Sequence, residues 1–375
     1  MVEFCSVAAG PFCAMLLADM GADVIKVENP EGGDTMRQWP PFSDGYSENF
    51  VSLNRNKRSV TLDLKNPADK TRAFDLIRSA SVVLENNRPG VMARLGLDYR
   101  SVSIERPDLV YCSISAFGQE GPRSREAGFD LTLQAMSGVM SVTGEPGAPP
   151  VKCGVPISDF TTGLYAAMAI VSALYAVRNG ERGTHIDASM FGASLAVGAL
   201  QTSQYFGSGQ DPERLGSAHP RNAPYQAFQA RDGYFAMAAG NNALFRSACA
   251  AIGQPDLAAE PRFASTSLRA ENQQDLLRIL ERIFANYDCA ELLQRFRSAG
   301  VPCAPINSYS DALADPQVAH MGWVQPVNLP SGLETRTFVS PLKFSGAGFP
   351  IYRNPPALGE HNDEVFGISS LTKSA

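Results

Sequence analysis

The sequence predicts an α/β fold, in which a large domain is built on a parallel sheet and a smaller α+β domain follows it. Residues 1–190 alternate between short segments rich in β-branched residues and longer helical segments. The chain has 375 residues, which exceeds one average domain, and its 44% hydrophobic residues can form a large core. Because strands that alternate with helices are joined by right-handed crossovers, we expect the sheet to be parallel.

The individual elements follow from local signals. The first strand covers residues 2–7, and a helix over 9–21 opens at Gly10-Pro11. Asn66 and Pro67 predict a second helix over 66–80, because Asn caps helices and Pro suits their first turn. Further strands are predicted at residues 22–28, 59–64, 81–86, 108–115 and 184–189. The order is Rossmann-like, although A-A-G-P stands where the dinucleotide fingerprint needs G-x-G-x-x-G.

Composition predicts the domain boundaries. The large Rossmann-like domain covers residues 1–190, and a linker covers 191–220. Residues 190–206 are predicted to form a helix, and the stretch that follows is dense in Gly, Pro and Ser. Residues 221–315 form a small domain, with a strand pair followed mostly by helices. Residues 316–375 are a Pro- and Gly-rich return linker and C-terminal segment, which we expect to pack on the large domain.

Charge and cysteine usage narrow the class of protein. A net charge of −6 argues against nucleic acid or an anionic membrane as the main partner. The seven cysteines are dispersed and none form a C-x-x-C pair, so we expect reduced thiols, no metal site and a cytoplasmic location. The N-terminus lacks the pattern of a signal peptide. The apolar run over 163–177 is shorter than a bilayer span and predicts a buried core helix.

One carboxylate, Asp159, stands at the start of that apolar helix. The simplest interpretation is capping, in which Ser158 or Asp159 accepts hydrogen bonds from free backbone N–H groups. The functional interpretation is a nucleophile, because the helix dipole favours the anion and an Asp is ordinarily ionised at neutral pH. A carboxylate is a weak nucleophile, so it needs an activated acyl group held against it, such as a thioester.

The histidines support chemistry with little proton transfer. Only four are present, and each is expected to be structural or on the surface: His185, His219, His320 and His361. Exchange between a carboxylate and a thioester gives an anhydride and a thiolate and moves no proton. The anhydride would hydrolyse in water, so the site must also close over it.

Seven separated motifs make the chain resemble the class III CoA-transferases, over essentially its whole length. They lie at residues 9–34, 52–65, 84–99, 110–122, 158–166, 223–228 and 356–365. The resemblance implies CoA transfer from an acyl-CoA donor to a small carboxylic acid acceptor, through an aspartyl anhydride and an aspartyl-CoA thioester on Asp159. CoA would be a substrate, and no permanently bound cofactor is implied. The succinyl-CoA-dependent dicarboxylate branch looks most similar.

Two alternatives remain at the sequence level. The same family contains α-methylacyl-CoA racemases, which use a His in a G-H-D motif as a second acid/base group. Here the matching motif is Gly128-Phe129-Asp130, and 159 − 129 gives the expected separation of 30. Phe129 carries no proton, which disfavours the racemase. A catalytically silent CoA-binding protein is the other alternative. Asp130 has no assigned role.

The resemblance also implies CoA-binding residues in the large domain. Arg is expected among them because its planar guanidinium binds phosphate in a bidentate manner. The residues implied are Val7, Ala8, Arg37, Asn86, Asn87, Arg88, Arg94 and Leu95.

A second group of expectations concerns the loop over 236–245 and the oligomer. The resemblance implies that this loop folds over the nucleophile, where Gly240 would permit unusual dihedral angles and the N–H groups at Gly240 and Asn241 could stabilise an oxyanion. The alternative is a strand-to-helix turn with an Asn cap. The resemblance implies an intertwined homodimer. Arg55 and Lys57 bring two cations together. They could bind a dicarboxylate acceptor or the phosphates of CoA, or they could lie in a solvent-exposed turn.

Overall fold

The computed structural model describes residues 1–367 and divides the chain into two compact units. The first unit contains residues 1–139, 152–210 and the chain from Pro316 onward, and the second contains 140–151 and 211–315. The predicted linker therefore differs from the structure, because residues up to 208 form two helices of the first unit. The helix predicted over residues 190–206 is found as two consecutive helices, Met190–Val197 and Ala199–Ser208.

A six-stranded sheet forms the centre of the first unit. Its strands are β1 (Val2–Phe4), β2 (Val24–Glu28), β3 (Lys57–Thr61), β4 (Val82–Glu85), β5 (Val110–Ser115) and β6 (His185–Ser189). The order is β3-β2-β1-β4-β5-β6, and every pairing is parallel. This is the strand order of a doubly wound Rossmann-like sheet, so the predicted fold class is confirmed.

Helices cover both faces of this sheet. The labelled helices are α1 (Ala9–Asp19), α2 (Pro67–Ser79), α3 (Asp130–Met136), α4 (Ile157–Arg178), α5 (Met190–Val197) and α6 (Ala199–Ser208). On one face, Val82 and Leu84 of β4 pack with residues of α1 and α4, whereas Val83 points to the opposite core with α2. The alternation of side chains along a strand thus supplies two separate cores.

Short elements complete the first unit. They are the turn of 3-10 helix Thr35–Gln38, the helices Glu48–Asn54, Val91–Leu95, Tyr99–Val102, Pro316–Met321 and Asn362–Phe366, and the strand pairs Phe42–Ser43 with Tyr46–Ser47, Val324–Asn328 with Glu334–Phe338, and Lys343–Phe344 with Ala347–Gly348. The C-terminal part pairs with the edge of β3, where His361 N donates to Ser59 O.

The second unit is an antiparallel sheet covered by helices. Its strands β7 (Tyr225–Gln229), β8 (Tyr234–Ala238) and β9 (Cys303–Pro305) pair in the order β9-β8-β7. The helices are Val139–Val142, α7 (Asn242–Ala251), Thr266–Glu271, α8 (Gln273–Phe284), α9 (Cys289–Ser298) and Tyr309–Leu313, with 3-10 turns at Pro255–Ala259 and Pro261–Phe263. Buried Phe228, Phe235, Phe284 and Phe296 form its core.

Helix α4 is the longest helix of the described residues, and it is not the buried core helix that the sequence predicts. It has 22 residues, so by length and composition it could cross a membrane, but only 28% of its most apolar window is buried. One face packs inward through small residues such as Thr162, Gly163 and Ala166. The opposite face leaves Leu164, Met168 and other large apolar side chains exposed. The length was underestimated because the apolar run was counted from residue 163, whereas the helix begins at Ile157.

Candidate active site

Asp159 lies in the first turn of α4, but it does not cap the helix. Pro156 occupies the N-cap position, and no side-chain hydrogen bond is made from it. The Ser158 hydroxyl instead accepts a hydrogen bond from Ser194 Oγ of α5 at 2.9 Å. The capping interpretation of Ser158 or Asp159 is therefore wrong, because the helix begins at Ile157 and both residues lie inside it.

A side chain of α3 accepts a hydrogen bond from a backbone N–H group in the first turn of α4. Asp130 Oδ1 accepts a hydrogen bond from the Ser158 backbone N–H at 2.9 Å. Its other oxygen, Oδ2, accepts from Gln134 Nε2 at 2.7 Å. Asp130 was left without a role by sequence reasoning, because nothing local indicates that a residue 28 positions earlier satisfies the first turn of α4.

A cavity of about 300 Å³ opens at the Asp159 carboxylate. It lies where the loops after β1, β4 and β5 meet, at the carboxyl edge of the parallel sheet, which is the usual ligand-binding edge of such folds. Phe129 forms part of the wall and is 73% exposed. The predicted residues that the cavity brings together with Asp159 are Val7, Ala8, Asn86, Asn87 and Arg88.

The cavity changes the charge state expected of Asp159. Burial, followed by the nearby charge of Asp130, raises the pKa of Asp159 to about 7. No hydrogen bond or ion pair to its carboxylate is found within residues 1–367. The expectation of a permanently ionised Asp159 is therefore wrong, because desolvation outweighs the favourable effect of the helix dipole.

The loop after β1 is held in an unusual conformation at the cavity. Val7 has a positive φ of 68°, a conformation that costs a β-branched residue about 1–3 kcal/mol. Its N–H donates to Asp34 Oδ1 at 3.0 Å, and Asp34 Oδ2 pairs with fully buried Lys26 at 2.9 Å. Asn86 fastens the same loop through two hydrogen bonds to the Ser6 backbone, at 3.0 and 2.8 Å. Buried ionic and amide contacts thus maintain the strained turn.

A second cavity of about 390 Å³ adjoins the first. The two share Phe4, Ser6 and Asn87 in their linings. Arg94 and Leu95, both predicted, line the second cavity. Sequence reasoning missed Asn29 and the residues at the end of β3, which also line it: Leu62, Asp63, Leu64 and Lys65. Their position just beyond the carboxyl ends of β2 and β3 is the signal that could have found them.

Arg37 is not positioned as a phosphate ligand. Its Nε and Nη2 atoms donate to both carboxylate oxygens of Glu28, at 2.8 and 2.7 Å, and Nη1 donates to Pro356 O. The guanidinium also lies 3.6 Å from the Phe50 ring centre. Burial alone would raise the pKa of Glu28, but Arg37 and Lys26 lower it to about 2. Arg37 therefore fastens the turn after β2 to the C-terminal segment.

Arg55 and Lys57 are also internal, which overturns every role considered for them. Arg55 is 2% exposed and forms a bidentate pair with Asp19, at 3.0 and 2.6 Å. Lys57 Nζ is fully buried and lies 3.0 Å from Glu3 Oε2 and 2.9 Å from Pro11 O. Neither cation is available to a dicarboxylate, to CoA or to solvent.

Gly240 and Asn241 lie in the second unit, whereas Asp159 lies in the first. Gly240 does not adopt a positive φ, so its conformational freedom is not used in this conformation. Its carbonyl accepts hydrogen bonds from Thr266 and Arg269. Asn241 caps α7 by accepting from Leu244 N at 2.8 Å, which matches the strand-to-helix turn considered as the alternative. Their approach to Asp159 stays a prediction.

Comparison with known proteins identifies the family. The family described as CoA-transferase family III matches residues 1–362. The chain belongs to CoA-transferase family III. The fold and the enzyme class expected from the sequence motifs, a class III CoA-transferase, are thereby confirmed.

Relatives of this family III enzyme cover its full length. It is 40% identical to a succinate–glutarate CoA-transferase of Agrobacterium fabrum, over 100% of this chain and 96% of that protein. It is 36% identical to a succinyl-CoA:glutarate CoA-transferase of Mus musculus, over 97% of this chain and 84% of that protein. A solved structure of a CAIB/BAIF family protein from Brucella suis superposes with a TM-score of 0.86 at 39% identity, covering 98% of this chain and 97% of that one.

Proposed function

We propose that this CoA-transferase moves CoA from succinyl-CoA to a dicarboxylic acid, with Asp159 as the nucleophile. The observation that carries the proposal is the Asp159 carboxylate facing a cavity that adjoins a second, cation-bordered cavity. The donor and the acceptor class are taken from the names of relatives that use succinyl-CoA, succinate or glutarate.

The adjoining cavities suit the two ends of an acyl-CoA. Lys65 and Arg94 at the second cavity, and Arg88 at the first, make no ion pair within residues 1–367. They are thus free to meet the phosphates of CoA, which Arg and Lys bind well. The thioester would then lie toward Asp159, past the shared residues Phe4, Ser6 and Asn87.

The reaction proceeds in balanced steps. One Asp159 oxygen attacks the donor carbonyl, the C–S bond breaks, and an aspartyl-succinyl anhydride and CoA thiolate form. The thiolate attacks the Asp159 carbonyl, which releases succinate and leaves an aspartyl-CoA thioester. The acceptor carboxylate attacks the carbonyl of the aspartyl-CoA thioester, the C–S bond breaks, and a second anhydride and CoA thiolate form. The thiolate then attacks the acceptor carbonyl of this anhydride, which forms the new acyl-CoA and releases the Asp159 carboxylate. No step needs a base, which agrees with the apolar Phe129 where a racemase needs a His.

Replacement of the nucleophile tests this proposal. Asp159→Ala and Asp159→Asn should lower transfer from succinyl-CoA to glutarate by at least about 10³-fold, because the acyl group has no acceptor on the enzyme. The affinity for CoA, measured by calorimetry, should stay within a few-fold. Hydroxylamine added during turnover should label Asp159 of the unaltered enzyme, as read by mass spectrometry.

Other outcomes separate the alternatives. Turnover retained by both variants would refute the nucleophile. Deuterium entering the α-carbon of a 2-methylacyl-CoA, without transfer, would indicate a racemase. CoA binding without either activity would indicate a silent CoA-binding protein.

We also propose a homodimer, to which the exposed apolar face of α4 contributes, with the loop at Gly240 and Asn241 closing over Asp159 of the partner. A cytoplasmic location agrees with seven cysteines that form no disulfide among the described residues.

A further inference from the structure

Asp130 is the side chain that connects α3 to the start of the nucleophile's helix. The first backbone N–H groups of α4 have no intrahelical acceptor, and Pro156 at the N-cap has no side chain that could accept from them. Asp130 Oδ1 accepts from Ser158 N at 2.9 Å, one residue before Asp159. The Asp130 carboxylate therefore accepts the hydrogen bond that the N-cap side chain accepts in most helices, although it is distant in the sequence.

The same carboxylate is itself held rigidly. Gln134 is fully buried, donates through Nε2 to Asp130 Oδ2, and accepts through Oε1 from Cys153 N at 2.8 Å. Ser158 is fully buried as well and is fixed by Ser194 Oγ. The segment that leads into α4 is thus fastened at Cys153 and at Ser158, which limits movement of the Asp159 carboxylate.

Charge adds a second effect at the same place. The charged groups around Asp159 are Asp130 from α3, Glu126 from the loop before α3, and Arg88 from the loop after β4. After burial, the Asp130 charge is what raises the pKa of Asp159. Acylation of Asp159 removes its charge, so the repulsion is present in the free enzyme and absent in the anhydride and the thioester.

We propose that Asp130 is a positioning residue of the transfer reaction, which orients Asp159 through the first turn of α4 and favours its acylated forms by like-charge repulsion. The inference rests on the proposed function, because it assumes that Asp159 carries the acyl group. Phe129 and Asp130 therefore have separate tasks: one is an apolar wall, and the other acts through the backbone of the nucleophile's helix.

The test compares charge removal with removal of the acceptor. Asp130→Asn keeps an acceptor oxygen for Ser158 N but removes the charge, and Asp130→Ala removes both. Transfer rates at saturating substrate are measured from pH 5 to 9, with Asp75→Asn on exposed α2 as the matched control. The unaltered enzyme should lose rate below about pH 7, since protonated Asp159 cannot attack. In Asp130→Asn this acid limb should move down by about one pH unit.

The remaining readouts keep the inference separate from the proposed function. Asp130→Ala should show the same shift and also a lower kcat at every pH, by about 10-fold, which Asn rescues in large part. An unshifted acid limb in Asp130→Asn, with Asp159 still labelled by hydroxylamine, overturns the role of Asp130 alone. Absence of the label in the unaltered enzyme overturns the proposed function. If the Ala variant does not fold, the pH profile of the Asn variant still decides.

Discussion

At the scale of single residues, the site concentrates groups that are unfavourable for stability. Val7 adopts a left-handed conformation at the cavity, and Asp159 carries a carboxylate whose pKa is raised to about 7 by burial and by Asp130. A strained turn and a desolvated acid persist only where the surrounding structure over-determines them. Here the Asp34–Lys26 pair and the Asp130–Gln134 contacts supply that support.

The raised pKa of Asp159 predicts a pH-dependent cost to folding. The pKa of Asp159 is about 7 in the folded state and about 4 in the unfolded state. Its contribution to the free energy of unfolding is therefore fully present below about pH 4 and is lost as the pH rises through about 7. Asp159→Asn should therefore be more stable than the unaltered enzyme at pH 8, by about 1–2 kcal/mol after allowance for the open cavity. Urea unfolding at pH 8 and at pH 5 measures the difference.

Two comparisons decide that prediction. The gain should shrink at pH 5, where Asp159 is already largely protonated. Asp75→Asn, on the exposed side of α2, should show no such pH-dependent gain. Equal stability of the Asp159→Asn variant and the unaltered enzyme at pH 8 would contradict the cost assigned to Asp159.

At the scale of elements, the contact between α1 and α4 sets the position of Asp159, the proposed nucleophile. Gly163 lies one turn after Asp159, and a Cβ at this position would lie 2.8 Å from Ala9 O and 2.9 Å from the Phe12 ring. The rings of Phe12 and Phe160 meet edge to face, with centres 4.8 Å apart. The two helices can approach this closely only because residue 163 has no side chain.

Gly163→Ala is therefore expected to destabilise the protein by about 1–3 kcal/mol, because a backbone oxygen cannot move aside as a flexible side chain could. It should also lower kcat, since α4 must shift at the turn that carries Asp159. Thermal unfolding and transfer assays measure both effects.

Gly207→Ala is the matched control, because Gly207 lies in α6 and a Cβ there meets nothing within 4 Å. It should be neutral or stabilising by about 0.4–1 kcal/mol. A Gly163→Ala variant that behaves like this control would exclude close packing as the reason for glycine at 163.

At the scale of the whole molecule, one face of α4 lacks a partner within the described chain. Leu164, Met168, Val171 and Tyr175 follow one another at helical spacing and are 54, 61, 50 and 70% exposed. A continuous exposed apolar stripe of this kind marks an interaction surface. A second copy of the chain, as proposed above, would cover it.

Met168→Glu should therefore weaken the dimer, because a carboxylate in an apolar interface remains desolvated and unpaired. Light scattering coupled to size exclusion should show a shift from about twice the chain mass toward the monomer, by at least about 10-fold in dimer affinity. Ile104→Glu is the control, because Ile104 is an exposed apolar residue outside α4, at 82% exposure. A monomeric unaltered enzyme, or an unchanged mass for Met168→Glu, would contradict the assignment of this face.

The sequence by itself determined the strands, the main helices and the candidate nucleophile. β-branched segments predicted the six strands, and Asn66 predicted the cap that it makes with Ala68 N. These signals succeed because propensity, caps and side-chain period depend on neighbours within a few residues.

Only the tertiary structure decided what the charged residues do. Arg37, Arg55 and Lys57 pair with Glu28, Asp19 and Glu3, and Asp130 caps a helix 28 residues away. Whether a cation meets a substrate or an internal carboxylate, and whether an acid is ionised at neutral pH, depends on distant partners and on burial. Both are set by how the elements pack, which no local pattern in the chain specifies.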